Sequence, residues 1–322
     1  MESVPLKIIV MGTGPFAVPS FRMLLDSEHQ IECLVTRPDP PARGRRNKIV
    51  NPMRDVAQSL EMDVFAPASV NEPGFIDQLK AAQADLFVVC DYGQILSRDC
   101  LAASRLGGIN LHGSLLPKYR GAAPINWAIY QGESETGVTV IHMTARLDGG
   151  PMLKQVVIPI APEETAVELE PRMSEAGVQA VRESIEMLQS WDGESALGAR
   201  QDRQQVTKAP RLQKQDGLID WQRRAAQIVN QIRAFKPWPG TYTHWQRPDG
   251  EPVRLIVHQA HAVAVEPTQS AGKVEYVDGE TLQIASRDSV LQIESVQPAG
   301  KREMAVAEFL RGNTVSVGQQ FG

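Results

Sequence analysis

Three features are scarce in this chain. It has only three cysteines, Cys33, Cys90 and Cys100, with no CxxC pair. That excludes a disulfide-stapled secreted scaffold, and an odd, sparse count fits a reducing compartment and buried structural thiols. It has no apolar run approaching the roughly 18–20 residues that span a bilayer. It also lacks an excess of positive charge: 33 Lys and Arg stand against 38 Asp and Glu, a net charge of −5, so a chain basic throughout is excluded. A local basic surface stays open, because net charge says nothing about distribution. The first strand-like run, Leu6-Lys7-Ile8-Ile9-Val10-Met11, begins almost at Met1 and leaves no room for a leader peptide, so a cytoplasmic protein is expected.

What is present is an ordinary globular composition, 42% hydrophobic and 22% charged, over 322 residues, enough for about two domains. Strand-like runs at 6–11, 31–36, 85–90, 108–112 and 137–143 alternate with helix-like stretches at 16–25, 52–60, 74–82 and 123–131. Continuous apolar strands separated by helices predict an α/β, doubly wound, mostly parallel sheet covered on both faces. A long helix is predicted over 165–190, with Pro171 and Gly177 as points of kinking or interruption. Residues 1–190 are therefore expected to form one domain and the polar stretch 191–205 a linker. Residues 206–322 form the second domain, where short strands at 253–265, 272–277, 281–286 and 289–297 follow a helix at 222–235. That spacing suggests a small barrel of oligonucleotide-binding (OB-like) type.

The first strand-to-helix turn, Gly12-Thr13-Gly14-Pro15-Phe16-Ala17, formally fits a dinucleotide fingerprint. The supporting acid is missing, since the second strand ends Thr36-Arg37. Arg37 would suit a 2′-phosphate, so an NADP reading stands beside that of a plain tight turn.

More informative is Ile109-Asn110-Leu111-His112-Gly113-Ser114-Leu115-Leu116-Pro117-Lys118-Tyr119-Arg120-Gly121. Two residues apart on a strand, Asn110 and His112 project to one face at the carboxyl end, where open α/β sheets place ligands. An amide and an imidazole there can stabilise an oxyanion formed from a carbonyl. Asp148, in Leu147-Asp148-Gly149-Gly150, is expected at the end of the neighbouring strand, within reach of His112. Taken alone, Asp-Gly-Gly is a turn signal. Beside an imidazole, a carboxylate favours the charged ring and can relay a proton.

This segment and Asp148 together resemble the signature of the 10-formyltetrahydrofolate-dependent formyltransferases. Thr36-Arg37-Pro38-Asp39, Tyr92-Gly93-Gln94-Ile95-Leu96, Asp216 to Trp221, Ile232 to Gly240 and Gln297-Pro298-Ala299-Gly300-Lys301 extend the likeness over nearly the whole chain. The resemblance implies a Rossmann-like formyltransferase domain with Asn110, His112 and Asp148 as the catalytic trio. It also implies a folate bordered by Ser114, Leu115, Leu116 and Pro117, and 10-formyltetrahydrofolate as co-substrate. Formyl transfer on this pattern needs no metal. The acceptor it implies is the α-amine of initiator methionyl-tRNA, handled by a monomer.

Departures are visible too. Gly14-Pro15 stands where the family commonly has Pro and then an acid. Asp91 replaces a small apolar residue before Tyr92, Gly149 a usual Thr, and Pro151 a frequent acid.

Between residues 37 and 55 six basic residues face two acidic ones, a local excess of four positive charges in a Pro-rich loop. Alone this reads as a solvated loop. Beside the site, and by the resemblance, it is expected to clamp the tRNA through Arg43, Arg45, Arg46 and Lys48. A second basic stretch runs through Arg200, Arg203, Lys208, Arg211, Lys214, Arg223 and Arg224. His258 and His261 lie on a strand pattern that turns them to opposite faces, which argues against a metal. A formyltransferase for a small amine and a non-catalytic nucleic-acid module are the rival readings. The second leaves Asn110, His112 and Asp148 without a joint purpose.

Overall fold

The computed structural model describes residues 4–39, 50–248 and 250–322. It divides into two compact units. Unit 1 comprises Met1–Pro124, Glu135–Pro159 and Leu169–Pro210, and unit 2 comprises Ile125–Ser134, Ile160–Glu168 and Arg211–Gly322.

Unit 1 is built on a seven-stranded sheet in the order β3-β2-β1-β4-β5-β7-β8. Its strands are β1 (Lys7–Gly12), β2 (Gln30–Val35), β3 (Val64–Phe65), β4 (Leu86–Cys90), β5 (Gly108–His112), β7 (Glu135–His142) and β8 (Met152–Pro159), with the short β6 (Arg120–Gly121) outside this sheet. The first five pair in parallel and are apolar along most of their length, as a sheet covered on both faces requires. Helices α1 (Val18–Leu25), α2 (Pro52–Ser59) and α3 (Pro73–Ala81) form where the periodicity places them or close by, and a one-turn helix α4 (Arg98–Leu101) lies between β4 and β5. The chain reverses its winding between β1 and β4, which makes the carboxyl ends of those strands a switch-point crevice.

The sheet is mostly parallel, as expected, and turns antiparallel at one edge. β7 runs antiparallel to β5, and β8 antiparallel to β7. The burial of β8 largely alternates, the pattern of an antiparallel edge strand with one face in solvent. The long helix α6 (Ala166–Gln189) follows α5 (Pro124–Gln131) and is one continuous element. Pro171 does not interrupt it. Gly177 serves close packing, since a Cβ there would stand 2.6 Å from Leu111 Cδ2 on β5.

The expected linker is not one. Ala199 bridges to Met152, and β9 (Lys208–Ala209) pairs in parallel with β6. Gln201, one of the polar side chains that suggested a solvated tether, instead donates to the backbone carbonyls of Asp148 and Gly150, and unit 1 extends to Pro210.

Unit 2 holds α7 (Ala225–Ala234) and an antiparallel sheet ordered β10-β11-β14-β13-β12, with β15 (Met304–Ala305) on β14. The strands are β10 (Tyr242–Trp245), β11 (Val253–Val263), β12 (Val274–Val277), β13 (Leu282–Ala285) and β14 (Val290–Pro298), and α8 (Val306–Gly312) follows. The last residues hydrogen-bond to both edges: Phe321 bridges Trp245 of β10, and Gln320 bridges Lys273 just before β12. The tail is thus a stave in the expected barrel. Trp245, Leu255, Val257, Ile293, Val296, Phe309 and Phe321 fill its core.

One expectation about β11 is overturned. The register slips between Val257 and Ala260, a bulge that leaves Val257 and Ala260 both inside. His258 and His261 therefore both point outward, to Gln297 at 2.9 Å and Glu294 at 2.8 Å. No metal-binding group of His, Cys, Asp or Glu occurs among the described residues.

Candidate active site

β5 carries Asn110 and His112 at its carboxyl end. Asn110 is half-buried, and its side chain makes no hydrogen bond among the described residues, which leaves the amide available. His112 is buried, and its Nε2 lies 2.9 Å from the Tyr119 carbonyl. A carbonyl only accepts, so Nε2 carries the hydrogen. Nδ1 faces Asp148 Oδ1 at 3.7 Å, beyond direct hydrogen-bond reach, and is the ring atom free to exchange a proton.

Asp148 arrives by an unexpected route. Because β7 is antiparallel, its end at His142 lies opposite Ile109, three residues short of His112 along β5. The loop 143–151 folds back to bring the carboxylate to the imidazole. The return needs a left-handed residue at Asp148 itself, with φ +48°. It also needs Gly150, where any Cβ would strike the His142 carbonyl. The Gly121 N–H donates to Asp148 Oδ2 at 2.9 Å. Gly121 in turn lies so close to the Ala209 carbonyl that no side chain fits. Tyr119, with φ +60°, is a second left-handed residue at the site. Backbone strain of this kind, of order 1–3 kcal/mol each, persists only where neighbours hold it in place.

Sequence reasoning missed those neighbours. Gln201 donates to the carbonyls of Asp148 and Gly150, both at 2.7 Å, and accepts from Arg120 at 2.6 Å. Thr207 takes the Tyr119 N–H at 2.8 Å. Thr139 donates to the Ser114 carbonyl at 2.6 Å, and Gln155 donates to Thr139 and to the Leu116 carbonyl, each at 2.9 Å. Nothing in the local sequence around Gln201 or Thr207 marks them, because their partners are more than fifty residues away.

The four expected folate neighbours fall on one loop directly after His112. Ser114 is fully buried with its hydroxyl donated to the Lys118 carbonyl at 2.7 Å, and Leu116 is also buried. Leu115 and Pro117 are half-buried. Arg43, Arg45, Arg46 and Lys48 lie outside the described residues. Of the second basic stretch, Arg223 is occupied by packing, its guanidinium 4.2 Å above the Tyr130 ring. The three thiols are buried, and burial pushes each above its ordinary value, as inert structural cysteines should be.

At the switch-point crevice, Gly12 permits close approach to Cys90, whose carbonyl lies 2.9 Å from the place of a Cβ. Above Gly14, however, sits the Asp91 carboxylate, in the space any side chain at 14 would take. A pyrophosphate needs that space and would meet a carboxylate in it. The dinucleotide reading is overturned by charge.

Residues 6–185 match the family model described as formyl transferase, and residues 211–314 match that of the formyl transferase C-terminal domain. The chain belongs to the formyl transferase family. It is 45% identical to a methionyl-tRNA formyltransferase of Rhodopirellula baltica, over 98% of this chain and 96% of that one. It is 38% identical to a methionyl-tRNA formyltransferase of Geobacter sulfurreducens, over 98% and 97%. Among solved structures, an N-formyltransferase from Helicobacter canadensis, crystallised with folinic acid and dTDP-3-aminofucose, shares the fold. Its TM-score is 0.64 at 16% identity, covering 92% of this chain and 100% of that one.

Proposed function

We propose that this protein, as a cytoplasmic monomer, transfers the formyl group of 10-formyltetrahydrofolate to the α-amine of initiator methionyl-tRNA. The observation that carries the reading is the Asn110–His112–Asp148 cluster at the carboxyl end of β5, on a chain matched nearly end to end by relatives of that name.

The folate supplies an activated formyl carbon. Leu115 and Pro117 border it, while Ser114 and Leu116 hold the loop from beneath. The Asn110 amide donates to the formyl oxygen as the amine adds and negative charge develops there, the kind of contact worth roughly 10²–10³ in rate. His112 takes up and releases a proton at Nδ1, with its other nitrogen fixed on Tyr119. Asp148, held by Gly121 and Gln201, faces that proton and keeps the ring oriented. Arg43, Arg45, Arg46 and Lys48 hold phosphates of the tRNA, and the barrel adds backbone contacts that position it without reading sequence.

The test compares charged initiator tRNA with free methionine esters and amino sugar nucleotides, each with 10-formyltetrahydrofolate. Strong preference for the tRNA, with a salt slope that flattens when Arg43, Arg45 and Arg46 are neutralised together, is expected. Equal use of a small amine overturns the tRNA assignment.

A further inference from the structure

Asp91 is a carboxylate that the cluster described above does not use. It follows β4 directly, and the register pairs Val89 with Asn110 and Cys90 with Leu111, so Asp91 stands level with His112 across the sheet. Its backbone is left-handed, at φ +45°, and its carbonyl accepts the Thr13 N–H at 3.1 Å. The turn lifts its side chain over Gly14, whose missing Cβ makes the room. The residue as a whole is exposed, while its carboxyl packs over Gly14 at the place a Cβ would take.

Two other charges act on it. Glu170 comes from α6, and Arg37 follows β2, with its guanidinium Nη1 3.1 Å from the place of a Cβ on Gly93. Among the described residues, two carboxylates against one guanidinium leave a local anionic excess around Asp91, at the crevice where an α/β sheet receives its ligand. Among the proposed substrates the cationic group is the α-ammonium of the acceptor. It must lose a proton before it can attack.

We infer that Asp91 receives this ammonium and takes its first proton. The inference rests on the function proposed above. The N–H bond of the ammonium breaks toward the Asp91 carboxylate, and the freed lone pair forms the bond to the formyl carbon. The second amine proton leaves by way of His112 to the folate nitrogen as its bond to the formyl carbon breaks. Asp91 returns its proton to solvent when the product departs. Burial first, and Glu170 second, raise the Asp91 carboxyl to about 6 against the pull of Arg37. That brings it toward an α-amine that titrates at about 8. A carboxylate at its ordinary value would be a poorer acceptor.

The experiment measures kcat/KM of the full-length enzyme for charged initiator tRNA from pH 6 to pH 9, beside the affinity for a folate analogue. With Asp91 the reactive pair is ammonium plus carboxylate, so the wild-type acid limb falls at about pH 6. In Asp91→Asn only amine already neutral in solution reacts. The deficit should therefore approach roughly 30-fold at pH 6.5, the reciprocal of the neutral fraction, and fade to within about threefold by pH 9. Asp91→Glu should restore the wild-type limb, and folate affinity should hold in both variants. An Asp91→Asn deficit that is constant with pH, or no deficit in either variant, overturns the inference. A wild-type enzyme that formylates no charged tRNA overturns the proposed function instead.

Discussion

The loops around His112 and the barrel of unit 2 are held by different means. In the barrel, Trp245, Ile293, Phe309 and Phe321 are buried to 2% exposure or less among other buried apolar side chains, and apolar contact does the holding. Around His112 the buried groups are polar. Asp148, Tyr119 and the Ser114 loop are fixed by Gln201, Thr207, Thr139 and Gln155, each satisfying a backbone group distant in sequence. An apolar core tolerates small shifts of its members. A hydrogen-bonded loop with left-handed residues does not, because losing one partner leaves a buried group unsatisfied and releases the strain.

That contrast can be broken most sharply at the chemistry. Asn110→Ala and His112→Ala should each lower kcat by roughly 10²–10³-fold while the folate analogue binds within a few-fold of wild type. Near-normal turnover of the His112 variant at saturating substrates removes it from the mechanism. The supporting shell comes next. Gln201→Ala removes no proposed catalytic group but frees the Asp148 loop, and kcat should drop on the order of tenfold or more. Equal kcat with a lowered unfolding midpoint would make Gln201 merely structural.

In the barrel the expected effect is on stability. Phe321→Ala deletes a core side chain from the closing tail and should cost about 3–5 kcal/mol in denaturant unfolding. A loss below about 1 kcal/mol would show that the tail closes little. The smallest effect concerns Asp91. Its folded-state value, about 6, lies above the ordinary 3.8, so its stabilising contribution is full below pH 4 and is lost as pH rises through about 6. Asp91→Asn should thus gain in Tm relative to wild type on going from pH 4 to pH 8. A difference in Tm that does not change with pH contradicts this.

The same contrast separates what could be read in the chain from what could not. β1, β2, β4, β5 and α1 to α3 follow from runs and periods that are local, and so does the placement of Asn110 and His112 on one strand face. The reversal of β7 did not follow, since an apolar strand pairs equally well in either direction and β8, its antiparallel partner, went unread. The linker reading fails for a related reason. Gln201 and Thr207 look solvated until the backbone groups they satisfy are known. The bulge in β11, which turns His258 and His261 to one face, depends on its pairing with β14.

By itself, then, the sequence determined the class of fold, the resemblance and the pair Asn110 and His112, because those rest on neighbours within a few residues. Only the tertiary structure decided how Asp148 reaches His112, that residues 199–209 hold it there, and that Asp91 fills the crevice above Gly14. Each of these is a contact between segments more than twenty residues apart, formed where backbones come too close for a side chain or where a buried polar group must find a partner.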